Sequence, residues 1–291
     1  MDEALFLCRL LQFASAMLLF GISVFQWSVA PVGMARALDQ SLRRASKVAA
    51  IVLFATAIAW LLLAAGEMGQ GWADAWNPSV IGSVILYTDF GRVWLWRLGA
   101  VVVLLAVLTF TRDNSWLIVA ILAAIALGSL GLVGHALMRS GALGWLNRLS
   151  FIAHVLAAGF WLGSLPPLIA SLRLAADQTG LAIKLMALRR FSRLGHAAVV
   201  IVLATGLVNT WLVLGMLPLD ASSSYKTLLL AKIALVTVML VLALLNRYVL
   251  MPRLQKSPNS LHKLRWSAAV ELIAGLGAVG LVSAIGILPP T

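Results

Sequence analysis

Eight apolar stretches, each long enough to cross a lipid bilayer, occupy most of this 291-residue chain. A helical crossing needs about 20 predominantly apolar residues. Windows of that length predict spans near residues 4–30, 44–66, 93–111, 115–137, 147–172, 190–216, 225–250 and 266–288. Hydrophobic residues make up 62% of the chain, charged residues only 11%, and the mean hydropathy is +1.00. This composition excludes an ordinary soluble globular domain.

The fold class predicted from these stretches is an all-α, polytopic membrane protein with eight transmembrane helices. Backbone groups inside hydrocarbon must pair within their own segment, and none of the apolar runs alternates as the strands of a membrane barrel do. Residues 1–291 are therefore expected to form a single transmembrane helical domain. Spans one to four and five to eight share order and direction, so a weak parallel repeat of residues 1–140 and 141–291 is conceivable.

The distribution of basic residues predicts the orientation of the chain. Most of the 22 Lys and Arg residues lie on the connections that follow odd-numbered spans. Basic residues concentrate on the cytoplasmic side, so both the N- and C-termini are predicted to be periplasmic. The net charge of +12 is split among short connections, which excludes nucleic acid as a partner and leaves membrane lipid. Asp2 and Glu3 stand where a secretory signal would be basic, so the first helix is expected to be retained.

The sequence leaves little room for an enzyme. No hydrophilic stretch exceeds about 30 residues, which is too short for a soluble catalytic domain. A phosphate-binding Gly-Lys-Ser/Thr loop is absent, which argues against ATP-driven pumping. Cys8 is the only cysteine and excludes an internal disulfide or a thiolate metal cluster. Any chemistry must therefore occur among the helices, and the chain is not expected to be an enzyme.

Two histidines are predicted near the outer membrane surface. His135 stands at the outer end of span four, and His154 lies about two turns below the outer end of span five. A tight connection joins these spans, so the helices should be neighbours, and the depths of the two imidazoles should differ by about 5 to 10 Å. Met138 follows His135 by three residues and shares its helical face. Ionisable groups in hydrocarbon are costly and usually have a partner or a task.

Imidazole and thioether together suit Cu(I), and the scarcity of cysteine argues against a structural zinc site. His135, His154 and Met138 therefore form a candidate copper site on the outer side. Met68 and Met216, both at outer helix ends, could add sulfur ligands. The alternative interpretation is that these methionines fill gaps and these histidines are satisfied core residues.

Polar residues deeper in the membrane suggest a translocation path. Trp161 continues the helical stripe of His154 at a spacing of seven residues. His196 falls in the inner third of span six, and Glu271 lies about five residues into span eight from the same side. We expect His196 to meet Glu271, as a proton relay, an inner ion site or a structural ion pair.

Several motifs of this chain resemble the copper resistance protein D family. They are Gly134-His135-Ala136, then His154-Val-Leu-Ala-Ala-Gly-Phe-Trp161-Leu-Gly163-Ser-Leu165, Phe191-Ser192 before Thr205-Gly206, and Leu228-Leu-Leu-Ala-Lys232 before Asn246-Arg247 and Pro252. The resemblance extends over essentially the whole chain. It assigns His135, His154 and Trp161 to motif positions, with Lys232 and Asn246 also family-like. Position 164 is Ser where the Trp-x-Gly-Gly pattern has a second Gly.

The resemblance implies a multi-pass protein of the bacterial inner (cytoplasmic) membrane that serves copper homeostasis and resistance. Members of the family are thought to move copper from periplasm toward cytoplasm, often beside a small periplasmic copper-binding protein. Copper transport is therefore the leading hypothesis.

Two alternatives remain open at the level of sequence. A b-type cytochrome would use two of the histidines to ligate haem, and a strong Soret band from the purified protein would identify it. A non-transporting partner that hands periplasmic copper to another protein would keep the outer site without a path past Trp161. Flux of Cu(I) into liposomes distinguishes that docking role from transport.

The predicted orientation can be tested with C-terminal fusions. Alkaline phosphatase is active only in the periplasm, whereas green fluorescent protein exported there in unfolded form stays dark. A periplasmic C-terminus should therefore give an active phosphatase fusion and a dark fluorescent fusion, because the basic connections remain inside. The opposite pair of results would contradict the predicted periplasmic C-terminus.

Overall fold

A computed structural model describes residues 1–111, 115–133, 141–174, 180–215, 223–254 and 259–288. All regular secondary structure in these ranges is helical, which confirms the all-α class. The helices are α1 (Asp2–Val24), α2 (Val32–Met68), α3 (Pro78–Tyr87), α4 (Asp89–Phe110), α5 (Trp116–Gly128), α6 (Gly141–Gly163), α7 (Leu165–Arg173), α8 (Leu181–Leu214), α9 (Ser224–Leu245), α10 (Met251–Arg253) and α11 (Asn259–Ile285). Two π-helical segments, Phe25–Val29 and Asn246–Leu250, follow α1 and α9.

Seven helical segments of the described chain are long and apolar enough to cross a membrane. They are Asp2–Val29, Val32–Met68, Asp89–Phe110, Gly141–Arg173, Leu181–Leu214, Ser224–Arg253 and Ser260–Ile285. The predicted span 115–137 corresponds to Trp116–Leu132, an apolar helix shorter than these seven. Residues 134–137 lie outside the described ranges. The count of eight spans and the periplasmic termini therefore stay predictions.

Helices α2 and α8 begin at Val32 and Leu181, well before the predicted apolar windows that start near residues 44 and 190. Helix α2 has 37 residues and starts at Val32, directly after Pro31, whose fixed φ suits the start of a helix. At 1.5 Å per residue it is about 55 Å long, whereas the hydrocarbon layer is about 30 Å thick. Its basic first half, with Arg36 and Arg43, therefore extends beyond the apolar window on which the prediction depended.

The core of the molecule lies around α1. This helix packs against α2, α5, α6 and α11. A second group of contacts joins α6 to α8 and α9 to α11. Helix α1 therefore connects the first half of the bundle to the helices that carry most of the polar intramembrane residues.

Helix α1 crosses the end of α6 with the two backbones in direct contact. A Cβ atom added to Gly21 would lie 2.0 Å from the carbonyl carbon of Gly163, and one added to Gly163 would lie 1.9 Å from the carbonyl oxygen of Met17. No side chain fits in that space, so both positions require glycine. The fully buried Ser164 hydroxyl donates to the Gly21 carbonyl at 3.1 Å. The serine at the second glycine position of the motif thus adds a hydrogen bond between the helices.

Helix α6 ends at Gly163 because of the residues that follow. Pro166 and Pro167 lack amide hydrogens and cannot donate to the preceding turn, but they are tolerated in the first turn of a new helix. Helix α7 begins at Leu165 accordingly. Trp161 therefore lies in the last turn of α6, beside the contact with α1.

The replacement Gly163→Ala should destabilise the protein. The new methyl group would overlap the Met17 carbonyl and force α1 and α6 apart, at a cost of about 1–3 kcal/mol. Gly33→Ala is the matched control, because nothing lies within 4 Å of the Cβ position there. Thermal unfolding in detergent, followed by tryptophan fluorescence, should give a lower midpoint for Gly163→Ala only. Equal midpoints for the two variants would contradict the close crossing.

Candidate functional site

His154 lies on α6 and faces α8. Its Nδ1 is 3.0 Å from the Thr205 hydroxyl oxygen. That hydroxyl already donates its single hydrogen to the Ile201 carbonyl at 2.5 Å. With the hydroxyl hydrogen directed at Ile201, Thr205 accepts from His154, an arrangement that places the ring hydrogen on Nδ1 and leaves Nε2 unprotonated. This tautomer is the one that binds a metal through Nε2.

The residues near this imidazole leave space beside it. Gly206 follows Thr205, and a Cβ atom there would lie 3.6 Å from Cε1 of His154. Lys232 of α9 is close enough to interact electrostatically with the ring. The site thus joins α6, α8 and α9.

Other polar residues share the face of α6 that carries His154. Asn147, Ser150 and Trp161 are separated from it by seven, four and seven residues, which places all four on one side of the helix. Gly159 and Gly163 on the other side approach α5 and α1. One face of α6 is therefore used for packing, and the opposite face is polar.

Two side-chain oxygen atoms in the region of His154 lack hydrogen-bond partners within the described chain. Ser150 Oγ on α6 and Asn209 Oδ1 on α8 are both buried without one. Asn209 lies one turn from Thr205 on the same face of α8. Sequence reasoning did not place Ser150 or Asn209 at this site. The spacing of four residues from His154 and from Thr205 was the available signal.

Glu271 is the centre of a second polar cluster. Its side chain is 3% exposed. The Trp161 indole N–H donates to Oε1 at 2.6 Å, and the Asn246 amide donates to Oε2 at 3.3 Å. The three residues come from α6, from the π-helical segment after α9, and from α11. The only ion pairs found among the described residues are Arg43 with Asp39 and Arg92 with Asp89, so Glu271 has no cationic partner there.

Asn246 lies where the helix changes from α-helical to π-helical geometry. It begins the π-helical segment Asn246–Leu250. Pro252 follows this segment and has no amide hydrogen to continue the regular pattern. Single-turn π segments of this kind are frequent at functional sites.

A cavity of about 270 Å³ extends from Glu271 between α7, α8, α9 and α11. Most of its walls are apolar, and its polar lining consists of Trp161, Ser192, His196, Asn246, Arg247 and Glu271, with Met251 nearby. The direct contact expected between His196 and Glu271 is not made. His196 Nδ1 donates to the Ser192 carbonyl at 2.6 Å, and Nε2 lies 3.4 Å from the Tyr248 hydroxyl. Since each side chain has other partners, His196 and Glu271 share a cavity but not a hydrogen bond.

Of the other candidate copper ligands, the structure describes only Met68. His135, Met138 and Met216 lie outside the described residues. Met68 is 56% exposed at the end of α2, and no hydrogen bond links it to His154. Within the ranges given above, no group of three or more His, Cys, Asp or Glu side chains could hold a metal ion. The described part of the outer site is therefore His154 and the polar residues around it.

Two family models match this chain. The model described as copper resistance protein D-like, N-terminal domain, matches residues 1–145, and the model described as copper resistance protein D matches residues 185–285. The second match includes Thr205, Lys232, Asn246 and Glu271. His154 and Trp161 fall between the two matched regions.

Three relatives have similar sequences. The chain is 32% identical to the inner membrane protein YebZ of Escherichia coli K12 over 283 residues, which is 97% of each protein. It is 29% identical to the copper resistance protein D of Pseudomonas syringae pv. tomato over 259 residues, 84% of this chain and 83% of that protein. It is 24% identical to the copper transport protein CutJ of Bacillus subtilis over 213 residues, 70% of this chain and 39% of that protein.

No solved structure matches the chain at a significant level. The two family models together with the full-length similarity to YebZ confirm the resemblance found in the motifs. The chain belongs to the copper resistance protein D family.

Proposed function

We propose that this protein transports copper across the bacterial inner membrane and that His154 belongs to the site that first takes the ion from the outer side. Two relatives are named copper resistance protein D and copper transport protein CutJ, and a third is named inner membrane protein YebZ. Seven membrane-length helices in the described chain agree with a multi-pass protein of that membrane.

The observation that carries this proposal is the hydrogen bond between His154 Nδ1 and the Thr205 hydroxyl. With the Thr205 hydrogen directed at the Ile201 carbonyl, this bond holds the ring hydrogen on Nδ1 and orients the ring, as the hydrogen-bond partners of metal-binding histidines do. Nε2 is left as a neutral nitrogen ligand. An imidazole inside a membrane bundle that is already prepared in this way suits cation binding better than helix packing alone.

The other ligands of the proposed outer site are His135 and Met138, which precede α6 in the sequence. Met68 and Met216 are further sulfur donors at helix ends. Nitrogen and thioether ligands favour Cu(I) over harder cations, so Cu(I) is the proposed substrate. A small periplasmic copper-binding protein is the proposed source of the ion.

The proposed path runs inward along the polar face of α6. His154 and Trp161 are seven residues apart, which is about 10 Å along the helix axis. Trp161 contacts Glu271, and Glu271 lines the cavity that also contains His196. An ion released from the outer site would therefore pass Trp161 and reach this cavity on the inner side.

A b-type haem would need two imidazoles opposed across one iron. The three described histidines have separate hydrogen-bond partners: Thr205 for His154, Tyr248 for His196 and Trp266 for His262. These contacts give no support to the cytochrome, and copper transport is the function we adopt.

Replacing His154 with Ala should abolish most Cu(I) uptake into proteoliposomes, because the outer site loses its fixed nitrogen ligand. His262→Ala is the matched control, since that histidine bonds only to Trp266 one turn away on its own helix. Metal analysis of both purified variants should find copper lost only from His154→Ala. Uptake by a well-folded His154→Ala variant at the wild-type rate would refute the assignment.

A milder change at Thr205 should have a graded effect. Thr205→Val keeps the shape of the side chain but removes the hydroxyl that orients His154. Loss of such a partner typically costs about 10–100-fold in metal affinity. A Cu(I) titration of the purified variant should show this loss, while Thr210→Val should bind as wild type because its hydroxyl bonds only to the Gly206 carbonyl of its own helix. Equal affinities for the two variants would mean that Thr205 does not prepare the site.

A further inference from the structure

Glu271 is a buried carboxyl group with two neutral hydrogen-bond donors and no cation. The donors are the Trp161 indole and the Asn246 amide. The charged or titratable side chains that share its cavity are His196 and Arg247. Neither lies within 4 Å of the carboxylate oxygens in the described chain, and the Arg247 guanidinium is directed at the Met251 sulfur at 3.9 Å.

Helix α9 packs along α11, and its Lys232 lies fourteen residues before Asn246, which is about 21 Å along the helix axis. Helix α1 brings Arg9 to α11, but at Gly286, fifteen residues beyond Glu271 and about 22 Å along the axis. Helix α7 contributes Leu165 and Leu168 to the cavity wall. An ionised carboxylate in this apolar setting would be costly without a counter-ion. The group is stable only if it is protonated or if a cation is close by.

The two carboxyl oxygens are not equivalent. Oε1 accepts a short hydrogen bond of 2.6 Å from Trp161, whereas Oε2 lies 3.3 Å from the Asn246 amide nitrogen. The longer contact leaves Oε2 as the oxygen that can carry a proton.

Asn246 can serve both protonation states. Its Oδ1 is buried without a hydrogen-bond donor. Rotation of the amide by half a turn would bring Oδ1 to Oε2, where it could accept from a protonated carboxyl. In the present orientation its N–H₂ group donates to an ionised one. One side chain therefore satisfies Glu271 with or without the proton.

The cavity supplies a route for the proton. Its volume of about 270 Å³ is enough for several water molecules, each of which takes about 30 Å³ in the liquid. His196 and Ser192 line the same space on α8. A proton released at Oε2 can therefore pass to cavity water.

We propose that Glu271 binds the proton that is exchanged for copper. This inference rests on the proposed function. In the copper-free protein the carboxyl is protonated at Oε2. When a Cu(I) ion enters the cavity its charge stabilises the carboxylate, the O–H bond breaks, and the proton passes through cavity water and out of the protein. No electron moves, and the protein gains one positive charge with the ion and loses one with the proton.

The substitution Glu271→Gln tests the proposal, because glutamine keeps the size and the acceptor for Trp161 but cannot exchange a proton. Glu67→Gln, at the outer end of α2, is the matched control. In weakly buffered detergent solution with a pH indicator, wild type and Glu67→Gln should release about one proton per protein when Cu(I) binds. Glu271→Gln should release none.

An infrared measurement on the purified, copper-free chain tests the same group without transport. The C=O stretch of a buried protonated carboxyl should be present in wild type and Glu67→Gln, decrease on addition of Cu(I), and be absent from Glu271→Gln. Binding of Cu(I) by the wild type without proton release, or the absence of this band from the wild type, would overturn the proton site and leave copper transport standing. Absence of Cu(I) uptake by wild-type proteoliposomes would instead refute the transport function, and the infrared band would still decide on Glu271.

Discussion

The contact between Gly21 and Gly163 governs the arrangement of this bundle. Lipid is as apolar as the helices, so their association depends on close packing and hydrogen bonds and not on the hydrophobic effect. Two facing glycines let α1 and α6 touch at the backbone, and Ser164 adds a hydrogen bond at the same point. Since α1 also packs against α2, α5 and α11, this crossing fixes α6 relative to both halves of the molecule.

The position of α6 then determines where the polar residues meet. With its glycine face against α1 and α5, the face that carries Ser150, His154 and Trp161 turns toward α8, α9 and α11. Thr205 forms a hydrogen bond with His154 on this face, and Glu271 accepts a hydrogen bond from the Trp161 indole two helical turns further along α6. A single helix face therefore connects the proposed copper site with the proposed proton site.

The proposed copper site and the proposed proton site are linked by the need to balance charge inside the membrane. A membrane interior tolerates a cation poorly unless a carboxylate or a departing proton offsets its charge. Glu271 has no permanent counter-ion among the described residues, whereas a structural ion pair would have held it in one state. In the proposed exchange the carboxyl gains and loses its proton without breaking such a pair, and Asn246 can form a hydrogen bond with it in either form.

The sequence by itself determined the helical membrane class, the common face of His154 and Trp161, and the family, because apolar length, helical spacing and motifs are all local properties. Only the tertiary structure decided that Trp161 contacts Glu271, that His196 bonds to Tyr248 instead, and that Ser164 joins α6 to α1. Helices in lipid are apolar on every side, so the amphipathic stripe that reveals the packing face of a soluble helix is missing. Which faces meet is settled by steric fit between residues distant in the chain, and no local pattern encodes it.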